Sequence, residues 1–261
     1  MWPDRLLFLT PIESARSPQY GKQVTKTQID RLGLRLKEGN ITEADLRMLD
    51  DYRRSFIGAY EQVVRTTREQ LGVEVTGRPA KSTTSIVEKL RRESIRLTQI
   101  QDIAGCRFVV NDVAAQDRIV ESFKGLFRNL TIVDRRERPS YGYRAVHIIV
   151  NISGKPIEIQ VRTPIQHKWA ELSEKVSDIL DPSIKYGGGN DALRTLLVRA
   201  SNLIASVELS EKRVAAMLVR FPPRHKLPKE LQQELDGLRE DTISQKDEIT
   251  RLLGDMIADL D

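Results

Sequence analysis

Glu158, Gln160 and Arg162 alternate with Ile157, Ile159 and Val161 along the run Ile157-Glu158-Ile159-Gln160-Val161-Arg162-Thr163-Pro164. In an extended strand this alternation puts the three polar side chains on one face and the three apolar ones on the other. A carboxylate, an amide and a guanidinium on a strand otherwise buried are costly to desolvate unless a charged ligand or a metal ion meets them. A second carboxylate, Asp102, stands just before the apolar run that begins at Ile103. Two acids brought to one sheet edge repel unless a cation neutralises them, and Mg2+ typically takes one or two carboxylates together with phosphate oxygens.

Cationic groups follow a helical rather than an extended spacing. Lys81, Ser85, Lys89 and Arg92 fall on one face of a helix capped by Ser82 or Thr83, while Ile86, Val87 and Leu90 point elsewhere, and Arg78 and Arg91 add local charge. Such a face is either a solvated helix surface or a donor set for a triphosphate, with Arg offering paired donors and Lys a point charge. If a strand begins at Gly142, then Tyr143, Ala145 and His147 share a face, which sets a flat ring beside an imidazole and offers a platform for a base. Cys106 lies in an apolar run and reads as a small core residue. Gln166, His167 and Trp169 read as packing groups.

The elements that must position these groups are an α/β set. Lys26 to Lys37 reads as a helix ending at Gly39, and Thr42, with Asp45 three residues on, caps a second that runs to about Leu71. After Gly72 come a helix through Arg92, a strand from Ala104 to Val110, a helix from Asp112 to about Phe127 and a strand from Leu130 to Arg135. Tyr143 to Ile152 and Pro156 to Thr163 form a hairpin joined at Ser153-Gly154-Lys155, and Thr163 with Pro164 opens a helix to about Leu180. Past Gly187-Gly188-Gly189, Asp191 to Val219 is one long helix. Pro222, Pro223 and Pro228 mark a linker. The stretch from Lys229 carries Leu231, Leu235, Leu238, Ile249, Leu252, Met256 and Leu260 at near-heptad spacing, interrupted by the polar Thr242 to Glu248. This last helix suits packing within the chain or a homo-oligomer. Residues 1 to about 22 lack a clear period. The organisation expected is a helical N-terminal extension over 1–72, a core over 73–186 and C-terminal helices over 187–261.

The bulk composition sets limits. The chain has 261 residues, 39% hydrophobic and 30% charged, which suits a soluble protein with one substantial core. A formal charge of +5 favours anionic partners such as nucleotides or RNA without choosing between them. One cysteine excludes an intrachain disulfide framework and any multi-cysteine metal site. The run Trp2 to Leu9 is too short and too early in its acid for a signal peptide, and no stretch approaches the ~20 apolar residues of a membrane span, so a cytoplasmic protein with no membrane partner is expected. No GxxxxGK[ST] loop, GxGxxG or HExxH occurs, so phosphates must be held by side chains and metal, and with no His-Asp dipeptide a hydrolase of the His-Asp metal type has nothing to build on.

Together these segments resemble a known family. Gly77-Arg78, Lys81, Ser85 to Arg92, Gln101 to Arg107, Gly142 to His147 and Glu158 to Thr163 follow, in order and spacing, the synthetase domain of RelA/SpoT-like alarmone synthetases, over about residues 75 to 186. The chain is similar to small, single-domain members. The resemblance implies a nucleotidyltransferase-like mixed β-sheet flanked by helices, here with helical N- and C-terminal extensions. It implies transfer of the β,γ-diphosphate of ATP to the 3′-hydroxyl of GDP or GTP, with Mg2+ as cofactor, and no hydrolase activity. In that picture Asp102 and Glu158 hold Mg2+, and Glu158 is also placed to accept the hydroxyl proton. Arg78 and Arg107 sandwich the adenine, and Lys81, Ser85, Lys89 and Arg92 meet the ATP phosphates. Tyr143 stacks on the acceptor guanine, while Arg144, His147, Gln160 and Arg162 shape the acceptor side.

Two departures from the family pattern bear on the acceptor. The segment Arg135-Arg136-Glu137-Arg138 is rich in arginine, and Tyr141 stands where a small or acidic turn residue is expected. Similar proteins that act as toxins pyrophosphorylate the 3′ CCA end of tRNA, and such a protein would call for an antitoxin partner. Others use adenine nucleotides as acceptors. A catalytically silent nucleotide- or RNA-binding scaffold is the reading from another class, and the presence of Asp102, Glu158 and Tyr143 argues against it.

Overall fold

In the computed structural model, residues 24–220 and 228–260 are described. The aperiodic lead-in, the run from Trp2 to Leu9, and Pro222 and Pro223 of the linker lie outside them. Contacts within the chain define two compact units. The first takes in residues up to Phe108, Glu121–Ile132 and His147–Gln160; the second takes in Val109–Val120, Val133–Val146 and Val161 onward.

The first unit begins with helices whose ends are written in the sequence. Helix α1 (Lys26–Glu38) starts at a capping box between Thr25 and Gln28, and ends on Gly39 in the left-handed conformation. Helix α2 (Glu43–Arg54) starts at the expected box between Thr42 and Asp45. Asp45 also accepts from Arg35 at 2.6 and 2.9 Å, which ties α1 to α2. The single helix expected from Thr42 to about Leu71 is in fact two, with α3 spanning Ile57–Leu71. The break falls at Ser55-Phe56, where no glycine or proline signals it. Phe56 is fully buried edge-on to Tyr52, the Ser55 hydroxyl donates to the Tyr52 carbonyl at 2.5 Å, and Lys155 donates to that hydroxyl at 2.7 Å while lying over both rings.

Five strands follow in the sheet order β1-β2-β5-β4-β3. They are β1 (Thr76–Arg78), β2 (Ala104–Val109), β3 (Leu130–Asp134), β4 (Val146–Ile152) and β5 (Lys155–Arg162). Strand β1, absent from the sequence reading, is a short exposed edge strand antiparallel to β2. Strands β4 and β5 form a hairpin around Ser153 and Gly154, both at positive φ, which is the two-residue turn that matches strand twist. Gly105 faces the Glu158 carbonyl, and the Val110 amide donates to the Arg162 carbonyl, so β2 and β5 run the same way and the sheet is mixed. Strand β4 begins at Val146, later than expected. Tyr143 sits instead in a turn where it exchanges backbone hydrogen bonds with Ser140, and Tyr141 holds a positive φ of 53°. The idea that Tyr143, Ala145 and His147 share a strand face therefore fails for Tyr143 and Ala145, and only His147 lies on β4.

Helix α4 (Thr83–Arg92) is capped by Ser82, and helix α5 (Val113–Leu126) begins where the Asp112 carboxylate accepts from the Ala115 amide at 2.6 Å. In the first unit Phe123 stacks between Phe108 and Phe127 and anchors the end of α5 on β2.

In the second unit α6 (Pro164–Ile179), α7 (Asp191–Arg220) and α8 (Lys229–Ala258) pack around Trp169, Leu172, Leu197, Ile204, Ile249 and Leu253. The Trp169 indole donates to the Leu197 carbonyl at 2.9 Å. The seam of α8 differs from the one expected: Leu235, Thr242, Ile249 and Leu253 are buried, whereas Leu252 is exposed. The polar interruption is an anchor, since Lys246 reaches the buried Glu211 at 2.7 Å and Thr242 donates its hydroxyl to the Leu238 carbonyl.

Candidate active site

The polar and apolar faces separate along β2 and along β5 as far as Gln160, whereas Arg162, expected on the polar face, is buried beside Val161. Along β2, Ala104, Cys106 and Phe108 are buried while Gly105 and Arg107 are half-buried; along β5, Ile157 and Ile159 are buried while Glu158 and Gln160 are half-buried. His147 on β4 brings its Nδ1 to 2.9 Å from Glu158 Oε1, and the Gln160 amide donates to Glu158 Oε2 at 2.7 Å. Arg78 pairs opposite Gly105, and Arg107 opposite Thr76, so the two arginines lie diagonally on that same face. Gly105 is required there. A Cβ at this position would lie 2.7 Å from the Glu158 carbonyl oxygen, so only glycine lets β2 and β5 approach at Glu158.

Asp102 sits at the mouth of β2 and gathers one cation from helix α4 and one from the residue before its Ser82 cap. Lys81 Nζ is 2.8 Å from one carboxylate oxygen and Lys89 Nζ 2.9 Å from the other. Burial pushes this carboxyl up, but the charges of Lys89 and Lys81 outweigh it and hold the group down at about 2. Glu158 is governed by the same contest. Burial raises it, the hydrogen bond and charge of His147 lower it, Asp102 raises it through like-charge repulsion, Gln160 lowers it, and the balance falls below the usual carboxylate range. Cys106, beneath Glu158, is pushed up to about 12 by burial and then by that charge, which marks it as an inert core thiol.

The remaining residues of the expected donor set are placed less tightly. Ser85 takes part in the cap of α4, its amide donating to the Ser82 hydroxyl and its own hydroxyl accepting from it at 2.8 Å. Arg92, at the far end of the helix, pairs with its neighbour Glu93 at 3.0 Å. Arg53 on α2 was not anticipated. It donates to the Lys81 carbonyl at 3.1 Å and to the Thr83 hydroxyl at 3.3 Å, and it pairs with Asp50 one turn back. No local pattern marks its reach to Lys81 and Thr83, because these two lie far along the chain. Among the described residues no three His, Cys, Asp or Glu cluster as a metal centre.

Within the second unit, the hydroxyl of Tyr143 accepts from Arg162 at 3.1 Å, the Arg162 guanidinium lies 5.3 Å from the ring centroid, and Trp169 packs at a tilt 6.2 Å away. Arg144 is buried, donating to both oxygens of the buried Glu208 at 3.0 and 2.5 Å and to the Arg136 carbonyl at 2.7 Å. Glu208 also accepts from Gln166 at 2.8 Å, and Gln166 from Gln116 at 3.0 Å. Arg136, one of the three arginines before Tyr141, is held by Asp134 and Asp117 at 2.6 and 2.7 Å.

Residues 77–177 match the region found in RelA / SpoT proteins. A GTP pyrophosphokinase of Bacillus subtilis strain 168 is 34% identical over 160 residues, which cover 53% of this chain and 71% of that protein. The chain belongs to the RelA/SpoT family. An uncharacterised protein of Mycobacterium tuberculosis strain H37Rv is 37% identical over 116 residues, and there the match spans only 42% of the relative's length. A crystal structure of the small alarmone synthetase 1 from Bacillus subtilis bound to its product pppGpp is 26% identical, with 68% of this chain and all of that one covered at a TM-score of 0.47. The mixed sheet and its flanking helices agree with the nucleotidyltransferase-like fold of the RelA/SpoT synthetase region. No helix among the described residues is long and apolar enough to cross a membrane.

Proposed function

We propose that the chain transfers the β,γ-diphosphate of ATP to the 3′-hydroxyl of GDP or GTP, with residues 73–186 as its catalytic core. The observation that carries this reading is the polar sheet face, where Asp102 gathers Lys81 and Lys89 while Glu158 is oriented by His147 and Gln160. Reactions of this type need in-line positioning and charge neutralisation more than covalent chemistry by the protein.

In this mechanism Lys81, Lys89, Ser85 and Arg92 hold the ATP phosphates, and Arg78 and Arg107 take the adenine between them. The acceptor's 3′-oxygen attacks the β-phosphorus, the bond from that phosphorus to the α,β-bridging oxygen breaks, and AMP leaves. Glu158 accepts the hydroxyl proton. Its lowered pKa keeps it ionised at neutral pH, and His147 and Gln160 fix the carboxylate's direction. Tyr143 and Arg162 keep the acceptor-side roles that the family pattern implies, whereas Arg144, buried against Glu208, supports that side from within the fold rather than meeting the acceptor. Asp102 and Glu158 would hold Mg2+. The donor chemistry fits, because carboxylate oxygens are ligands this ion takes and two of them leave the remaining positions to phosphate and water; Lys81 and Lys89, which meet both Asp102 oxygens, would then turn to the phosphates. When bound, the ion supplies charge neutralisation on the phosphates.

The test is to offer γ-labelled ATP and Mg2+ with GDP, GTP, an adenine nucleotide and deacylated tRNA in separate reactions. Label on guanosine nucleotides is expected. Label on tRNA alone would overturn this reading in favour of a translation-blocking toxin, and label on no acceptor would favour a silent scaffold.

A further inference from the structure

We propose that Arg53 is a positioning residue for the ATP side of the site, fixing the backbone from which Lys81 and helix α4 meet the phosphates. This rests on the functional reading above. Lys81 is held at three points. Its amide donates to the Ile103 carbonyl at 2.7 Å, its ammonium pairs with Asp102 at 2.8 Å, and its carbonyl accepts from Arg53 Nη1 at 3.1 Å. The first two bonds lead to adjoining residues at the mouth of β2. The third alone comes from the N-terminal helices.

The same Nη1 donates to the Thr83 hydroxyl at 3.3 Å, so one guanidinium braces both sides of the Ser82 cap from which α4 springs. Asp50 pairs with Nη2 and orients the planar fork. Among the described residues no other hydrogen bond reaches residues 79–83 from the N-terminal helices, although Tyr60 on α3 lies against Gly77 of β1. Strand β1 is exposed along its length, Pro79 is exposed, and an open cleft lined by Asp50, Arg53, Arg54, Ile57, Pro79 and Ala80 separates the segment from α2. Without the guanidinium the path from Arg78 to Thr83 would be restrained at β1, at Lys81 and through α4, whose Ile86 and Leu90 are buried. The consequence falls on the donor: Lys81 and the start of α4 would lose alignment, while Glu158, His147 and Gln160 would keep theirs. The guanidinium's fork matters because it must reach a carbonyl, a hydroxyl and a carboxylate together, which the single ammonium of lysine does less well.

The experiment compares wild type with Arg53→Gln, Arg53→Lys and Asp50→Asn in full-length protein of checked thermal stability. Three quantities are read: the Michaelis constants for ATP and for the acceptor, the dissociation constant of a non-hydrolysable ATP analogue without acceptor, and amide hydrogen exchange over residues 79–85. For Arg53→Gln the expected result is weakening of ATP and of the analogue by roughly tenfold, since hydrogen bonds from a charged donor are lost. The acceptor constant stays within about twofold, and exchange quickens over 79–85 alone. Arg53→Lys should recover part of the loss, and Asp50→Asn should show a smaller effect in the same direction. Unchanged ATP affinity, or equal losses on donor and acceptor, would overturn the proposal. A wild type that binds the analogue but transfers to no acceptor would remove the reaction assigned above, and the analogue and exchange comparisons would still decide the role of Arg53. A wild type that does not bind the analogue would overturn both.

Discussion

Replacing Asp102 by Asn tests the charge cluster at the mouth of β2 through stability alone. The carboxyl is held at about 2 rather than the usual 3.8, and at about 1.4 kcal/mol per pH unit the ionised form gains about 2.5 kcal/mol in the folded protein. Its side chain is 18% exposed, so solvent screening removes little of this. Because the folded value lies below the unfolded one, the stabilisation is complete above about pH 4 and is lost as pH falls from there towards 2. Urea unfolding of wild type and D102N should therefore differ by about 2 kcal/mol or more at pH 7 and 5. The gap should narrow at pH 3, and it should survive added salt, because a half-buried pair is weakly screened. A gap below 0.5 kcal/mol at pH 7, or one that stays constant down to pH 2.5, would refute the assignment of Lys81 and Lys89 to Asp102.

Glu158→Gln keeps the shape of the side chain and removes the base. Transfer should fall at least ~100-fold while binding of an ATP analogue measured without Mg2+ changes little, and a variant within tenfold of wild type would remove Glu158 as proton acceptor. Tyr143→Ala should raise the acceptor's Michaelis constant roughly tenfold and leave that of ATP alone, in line with the energy of one stacked base; an unaltered acceptor constant would count against stacking. Glu208→Gln leaves the Arg144 guanidinium buried without its counter-charge. Unfolding should then be easier by ~3–5 kcal/mol, and a loss under 1 kcal/mol would mean the pair is not closed off from water.

Much of the polar sheet face could be read from the chain because strand alternation is a local property. Ile157 to Val161 fixes which side each residue faces once it is extended, and the caps at Thr42, Ser82 and Thr163 fix three helix starts. Pairings between distant residues are another matter. Lys81 and Lys89 share a helix-like spacing, which suggested a common ligand, but that both lysines reach Asp102 depends on where β2 begins. Arg144 and Glu208 are 64 residues apart, and nothing near either one signals the other. Strand β1 escaped notice because three exposed residues around a glycine carry no apolar period. The break at Ser55-Phe56 is met by Lys155, which arrives from the β4–β5 turn a hundred residues on. The start of β4 was misplaced because Tyr141 and Gly142 take positive φ, and a tyrosine in that position disguises a turn.

The most direct test of the central claim is the identity of the nucleotide that ATP leaves behind. Diphosphate transfer breaks the bond between the α,β-bridging oxygen and the β-phosphorus, so chromatography of a reaction with an acceptor should show AMP formed in a one-to-one ratio with an acceptor carrying two added phosphates. ADP with a singly phosphorylated acceptor would show ordinary phosphoryl transfer and would contradict the account, as would AMP released with free pyrophosphate and an unchanged acceptor.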